Sequence, residues 1–211
     1  MNYQLLEKEL KERTKTNYSW RRKQNDFFDS KTNFIYKIET YHSLQEKIKL
    51  EFSVNPDYLD FKDYALNRWY NFWSAKAVET VFCKHKNVTK HYNSKDRYTD
   101  FYISTIPFDH KTTTFPKGFN YSIPFAIEHK KTLIKWLYKN QSNQKRQHYK
   151  NRLFIVVLDF NNPYESWKLK AEIIWLKQII EDYLCSFDAS KLPEIAIEDT
   201  KIKSDIIWAI K

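Results

Sequence analysis

Apolar and polar positions follow one rhythm in the first third of this chain and another after it. Gln4 to Thr14 is a short charged segment that predicts a helix. Phe34, Ile35, Ile38, Tyr41, Leu44 and Ile48 recur at helical spacing and predict a helix over 32–51. Asn55-Pro56-Asp57 breaks the pattern and supplies a capping residue. A longer helix follows, from about Asp60 to His85, with Phe61, Ala65, Trp69, Phe72, Val78 and Phe82 as its buried stripe.

Beyond His85 the period shortens. Asn87 to Tyr92 reads as a strand. Thr99 to Ile106 and Phe108 to Thr114 read as two more, joined by a tight connection around Thr105-Ile106-Pro107 and rich in Thr, Tyr, Ile and Phe. Phe115 to Ser122 is a loop. Ile127 to Asn140 is helical, and the polar, basic stretch 141–151 extends it. Leu153 to Leu158 (LFIVVL) is the most apolar run, short and β-branched, which predicts a central strand buried on both faces. Trp167 to Leu184 predicts an amphipathic helix, and Ile195–Ile197 and Ile206–Ile210 predict edge strands. The succession gives an α/β fold in which helices flank a mixed sheet. An N-terminal helical region over 1–58 precedes an α/β core over 59–211, the two expected to pack as one compact unit.

Composition adds bounds. The chain has 211 residues, 42% of them hydrophobic and 18% aromatic, enough for a packed core and too much for a disordered chain. Two isolated cysteines, Cys83 and Cys185, rule out a disulfide framework and suit a reducing compartment. Met1 to Arg22 is charged throughout, without an apolar signal core, and no run approaches the ~20 residues of a membrane span. A cytoplasmic protein without membrane contact is the expectation. The net charge of +10 favours partners rich in phosphate. Abundant Lys, Asn, Tyr, Phe and Ile beside a single Gly also match A/T-rich coding, which by itself supplies excess Lys.

The chemistry concentrates in Thr99 to Thr114, TDFYISTIPFDHKTTT. Asp109 and Lys111 are two apart on a strand and share a face. Hairpin pairing brings Asp100 beside Asp109. Two carboxylates and an ammonium converging in this way suit phosphodiester hydrolysis. The carboxylates bind a hard cation, which polarises the phosphoryl oxygen and activates water. The Lys orients the water or offsets charge on the phosphorane. His110, between them, points to the opposite side of the strand.

These residues resemble the signature of the PD-(D/E)XK nuclease superfamily, restriction endonucleases among them: an Asp, a gap, then (D/E)-x-K on the next strand. Asp100 and Asp109-His110-Lys111 match it, and Thr112-Thr113 is similar to members reading (D/E)-x-K-T-T. The resemblance covers roughly Trp69 to Leu184. It departs from the pattern in having Thr99 where a Pro is usual, Asp109 where Glu is commoner, and only eight residues between Asp100 and Asp109.

The resemblance implies a restriction-endonuclease-like three-layer core. It implies catalysis by Asp100, Asp109 and Lys111, joined by Glu79 from the preceding helix. Asp100, Asp109 and Glu79 would then ligate Mg²⁺, with Mn²⁺ able to substitute. It implies a deoxyribonuclease of restriction or phage-defence type, and enzymes that cut both strands are often homodimers. Gln144 and Tyr149 are similar in type to a Gln and a Tyr that some members carry on a following helix. Arg146, Lys150 and Arg152 are phosphate-contacting candidates, as are Arg21 and Arg22 beside Trp20. Two other classes stay open: a non-catalytic nucleic-acid-binding module on the same fold, and an interaction protein whose charge is compositional. Cys83-x-His85 has no second pair to complete a zinc site, and neither a Gly-rich phosphate loop nor a nucleophile elbow is present.

Overall fold

The computed structural model of the chain describes residues 1–93, 96, 98–140 and 150–211. Its contacts divide the chain into two compact units. One is Met1–Val78 with Lys170–Trp175, and the other is Glu79–Leu169 with Leu176–Lys211.

The first unit is helical. It holds α1 (Tyr3–Thr14), α2 (Asp26–Lys31), α3 (Tyr41–Phe52) and most of α4 (Tyr58–Cys83). The helix expected over 32–51 is interrupted. Asn33–Tyr36 is a 3-10 turn, and α3 starts only after Thr40, whose hydroxyl accepts from Ser43 N. The interruption has a polar cause: the Ile38 carbonyl accepts the indole N–H of Trp69 at 2.7 Å instead of closing a helical turn. Two arginines are buried here. Arg13 donates to Asn67 Oδ1, Thr16 and Asn17. Arg68 donates to the carbonyl of Asp29, to Thr32, Asn33 and the Tyr36 hydroxyl, and pairs with the Asp29 carboxylate. A buried guanidinium is tolerated where the terminal amino groups of its planar fork meet acceptors, as both of Arg13 and both of Arg68 do.

The second unit is an α/β domain built on a mixed, open six-stranded sheet flanked by helices, in the order β1-β2-β3-β4-β6-β5. The strands are β1 (Val88–Lys90), β2 (Phe101–Ile103), β3 (Ile106–Thr114), β4 (Arg152–Leu158), β5 (Glu194–Ile197) and β6 (Thr200–Ile210). β1, β2 and β3 form an antiparallel meander; β3, β4 and β6 are parallel; β5 closes antiparallel on β6. α5 (Ile123–Glu128) and α6 (Lys130–Asn140) lie between β3 and β4 in the chain. The stretch expected as one helix from Trp167 is a 3-10 run, Pro163–Ala171, followed by α7 (Ile173–Cys185).

β4 is central, as its apolar run predicts: Leu153 to Leu158 are buried, and Leu153 to Val157 are paired on both sides. β6 was expected short and at an edge, yet it spans eleven residues and lies inside the sheet. Its first half reads as polar because Lys201 and Lys203 point outward between the buried Ile202 and Ser204. The two hairpins turn on Ser104-Thr105 and Glu198-Asp199. Ser104 and Glu198 take φ of 56° and 51°, the left-handed region usually left to glycine. The first turn therefore comes earlier than expected, and Ile106 and Pro107 already belong to β3. On one sheet face Phe154, Val156, Ile202 and Ile206 pack with Leu133, Ile134, Leu137 and Tyr138 of α6 and with Phe119 and Ala126. Among the described residues no helix is long and apolar enough to cross a membrane.

Phe154 is fully buried with the Tyr138 ring edge-on to it. Phe154→Ala is expected to lower stability by about 3–5 kcal/mol, the range for emptying an aromatic site in a core. Urea unfolding of the purified variant measures it.

Candidate functional site

The candidate site sits where β2 ends and β3 passes on to pair with β4. Asp100 stands just before β2, and its backbone N–H donates to the Phe108 carbonyl at 2.8 Å. That bond holds it beside the Phe108–His110 segment of β3. Along β3 side chains alternate, so Asp109 and Lys111 take one face and Phe108 and His110 the other. The expected facing of Asp109 and Lys111 is what the structure has: Lys111 Nζ is 3.9 Å from Asp109 Oδ1, with Lys111 half exposed and Asp109 nearly buried.

Each carboxylate has a second, closer partner. Arg152 Nε donates to Asp109 Oδ2 at 2.7 Å across the parallel β3–β4 pair, in which the two residues are opposite. The Arg152 guanidinium also lies over the Tyr138 ring at 5.3 Å and near the Phe154 ring at 5.9 Å. Asp100 turns the other way. Its Oδ2 accepts from the backbone N–H of His110 at 2.8 Å and lies 2.6 Å from His110 Nδ1. The reason is the open strand edge. β2 begins at Phe101, so the His110 N–H faces a position with no ladder carbonyl, and the Asp100 carboxylate fills it. His110 lies on the far face, as its place in the strand predicts, where Phe101 and Phe82 of α4 pack near it.

This geometry bears on Glu79. α4 lies over the His110 face, with Phe82 stacked on Phe101, and Glu79 stands one turn before Phe82. Asp109 and Lys111 leave β3 on the opposite face. Among the described residues no three of His, Cys, Asp and Glu are grouped so as to hold a metal ion. The expected three-carboxylate set of Glu79, Asp100 and Asp109 is therefore not assembled. What remains is a pair, Asp100 and Asp109. Two carboxylates are donor chemistry that a hard divalent cation takes when water completes its shell. Any such cation would compete with Arg152 for Asp109 and with His110 for Asp100.

Burial tends to raise the Asp100 carboxyl, but the hydrogen bond and charge of His110, helped by Lys111, outweigh it and hold the group below its ordinary value of 3.8. Burial pushes the Tyr138 phenol up to about 12, so it stays a neutral donor, giving its proton to the Lys150 carbonyl at 2.6 Å.

The nucleic-acid candidates divide. Arg21 pairs with Asp63, and Arg22 pairs with Asp60 and Asp57, so both tie the segment after α1 to the acidic side of α4. Arg152 is the partner of Asp109. Lys150 is exposed beside it. Gln144, Arg146 and Tyr149 lie outside the described residues. The second role of Arg152, as partner of Asp109, was not legible in the sequence. Nor was the buried Asp205, whose carboxylate meets Lys130 at 2.7 Å and the Tyr183 hydroxyl at 3.3 Å. Nothing in the spacing of those three residues marks them.

A carboxyl held below its ordinary value stabilises the fold above that value and loses the contribution as pH falls through the lowered one. The contribution of Asp100 to stability is therefore expected to be lost as pH falls below 3.8. Asp100→Asn should be less stable at neutral pH and show a shallower acid limb. Urea unfolding repeated from neutral pH to about pH 2 tests this, and superimposable acid limbs would remove the Asp100–His110 contact from the account. No protein-family model, curated protein or solved structure matches this chain.

Proposed function

We propose that this chain is a metal-dependent nuclease acting on DNA, with a restriction-endonuclease-like core. One observation carries the reading. A helix carrying Glu79, the β2–β3 hairpin, the helices α5 and α6 and the buried strand β4 follow one another in the chain, and the second hairpin strand holds Asp109 and Lys111 on one face with Asp100 bonded beside them. The net charge of +10 supports a phosphate-rich substrate.

In this reading Asp100 and Asp109 would hold Mg²⁺ or Mn²⁺, which supplies Lewis-acid polarisation and a more acidic bound water. The other roles belong to the protein. The half-exposed Lys111 ammonium can meet a phosphoryl oxygen as charge develops on it. Arg152, stacked on Tyr138, sets the position of Asp109.

A second reading, a nucleic-acid-binding module without chemistry, is favoured by a different observation: each carboxylate already has a side-chain nitrogen partner within 2.7 Å. There the Asp-His and Asp-Arg contacts are structural, and Lys111 is one more phosphate contact.

Plasmid DNA incubated at low salt with Mg²⁺, Mn²⁺ or EDTA separates the two. The nuclease reading expects metal-dependent cleavage that falls by at least ~10²-fold in Lys111→Ala and in Asp109→Ala. Lys111 is exposed, so its variant should fold normally. Equal cutting by parent and both variants would falsify the assignment of this site. DNA binding that weakens with salt, without cleavage under any metal, leaves the second reading in place.

A further inference from the structure

α6 differs from α1, α2, α3, α4 and α7 in carrying lysines with no acidic residue on the same helix. Three other helices each carry a Lys that meets a Glu one turn away on the same helix: Lys11 with Glu7 at 2.7 Å, Lys47 with Glu51 at 2.6 Å, Lys177 with Glu181 at 3.0 Å. α6 reads KKTLIKWLYKN and contains no acidic residue. Lys131, Lys135 and Lys139 recur every fourth position, all three are exposed, and none has an ion-pair partner among the described residues. Lys130, beside them, is the one that is paired, with Asp205.

Folding does not call for this arrangement. Like charges at i, i+4 repel, and a cation in the first turn opposes the helix dipole. The apolar face of α6, with Leu133, Ile134, Leu137 and Tyr138, already anchors the helix to the sheet, so the lysines are not needed for packing. An external anion resolves the repulsion. At 1.5 Å per residue the three ammonium-bearing positions are spaced ~6 Å apart over ~12 Å, a length that spans three to four phosphates of one DNA strand at ~3.4 Å each. The row ends one residue past Tyr138, whose hydroxyl meets the Lys150 carbonyl and whose ring lies under Arg152, the partner of Asp109.

We propose that Lys131, Lys135 and Lys139 form a track for the phosphate backbone of a DNA duplex, holding it so that it passes the Asp109–Lys111 site. This rests on the reading that the chain acts on nucleic acid, and holds for either form of it, cutting or binding.

The test is the salt dependence of binding to a fluorescein-labelled DNA duplex, by anisotropy, for the full chain and for the triple variant Lys131→Gln, Lys135→Gln, Lys139→Gln. Each lost phosphate contact removes ~0.9 from the slope of log affinity against log salt, so the variant slope should be shallower by about 2.7. A fourfold rise in salt would then cost the parent about forty-fold more affinity than it costs the variant. Lys177→Gln, at a paired position, should leave the slope as it is. Thermal melting should find the triple variant no less stable than the parent, since a repulsion has been removed. A parent that binds with an unchanged slope in the triple variant overturns the track and spares the nucleic-acid reading. A parent that binds no duplex or single strand at low salt overturns both. Binding to phosphatidylserine vesicles, lost in the triple variant, with none to DNA would assign the row to a membrane surface and overturn the track.

Discussion

The burial of β4 is the constraint from which the second unit follows. Its run from Leu153 to Leu158 is without a polar side chain, so it has no face to offer to water. Such a strand is stable only with a neighbour on each edge and a layer on each face. β3 and β6 supply the edges, both parallel to it. Parallel neighbours require crossovers, and these are the segments with α5, α6 and α7. The same register aligns Asp109, Arg152 and Ser204 in one row across three strands. The polar residues at that end are thus placed together by an apolar requirement in the middle of the sheet.

At the row itself, desolvation decides which charges pair. Asp109 is nearly buried, a buried carboxylate needs a partner, and Arg152 stands opposite it across the strand pair at 2.7 Å. Asp100 answers a backbone need, the unmatched N–H of His110 where β2 stops short. The two carboxylates are therefore neighbours in the chain geometry and divided in their bonding. One belongs to the α6 side of the sheet and the other to the His110 edge.

Legibility in the sequence followed the strength of the physical signal. LFIVVL admits one placement, and it is central. Asp109 and Lys111 share a face because a strand period of two admits nothing else. The helix expected over 32–51 failed where a single long-range hydrogen bond, Trp69 to the Ile38 carbonyl, outcompeted a helical turn. The hairpin connection expected around Thr105-Ile106-Pro107 falls instead on Ser104-Thr105. In a chain with one glycine, Ser104 takes the left-handed turn position, and Pro107 sits in β3 before β4 pairing begins at Asp109. β6 was underestimated because its first half alternates Lys with buried residues. Arg152 is expected from the sequence as a phosphate contact because nothing in sequence marks which cation a buried carboxylate will take. Glu79 sits on the expected helix, but the face that α4 covers is set by Phe82 and Phe101, and side-chain spacing within α4 cannot reveal it.

The pairing of Asp109 with Arg152 and of Asp100 with His110 makes the two functional readings exclusive in energy as well as in chemistry. A carboxylate satisfied by an internal cation gains little from a second one unless the first can leave without cost. Arg152 has somewhere to remain: its guanidinium rests on the Tyr138 and Phe154 rings, and that contact does not need Asp109. His110 is held differently, by burial against Phe101 and by its backbone bond to the same Asp100 oxygen that its ring meets. Asp109 is thus the carboxylate that can change partners, and Asp100 the one that is fixed. A centre that binds a cation here would be built around a movable Asp109 beside the exposed Lys111. A purely binding surface would keep Asp109 closed on Arg152 and present Lys111 alone.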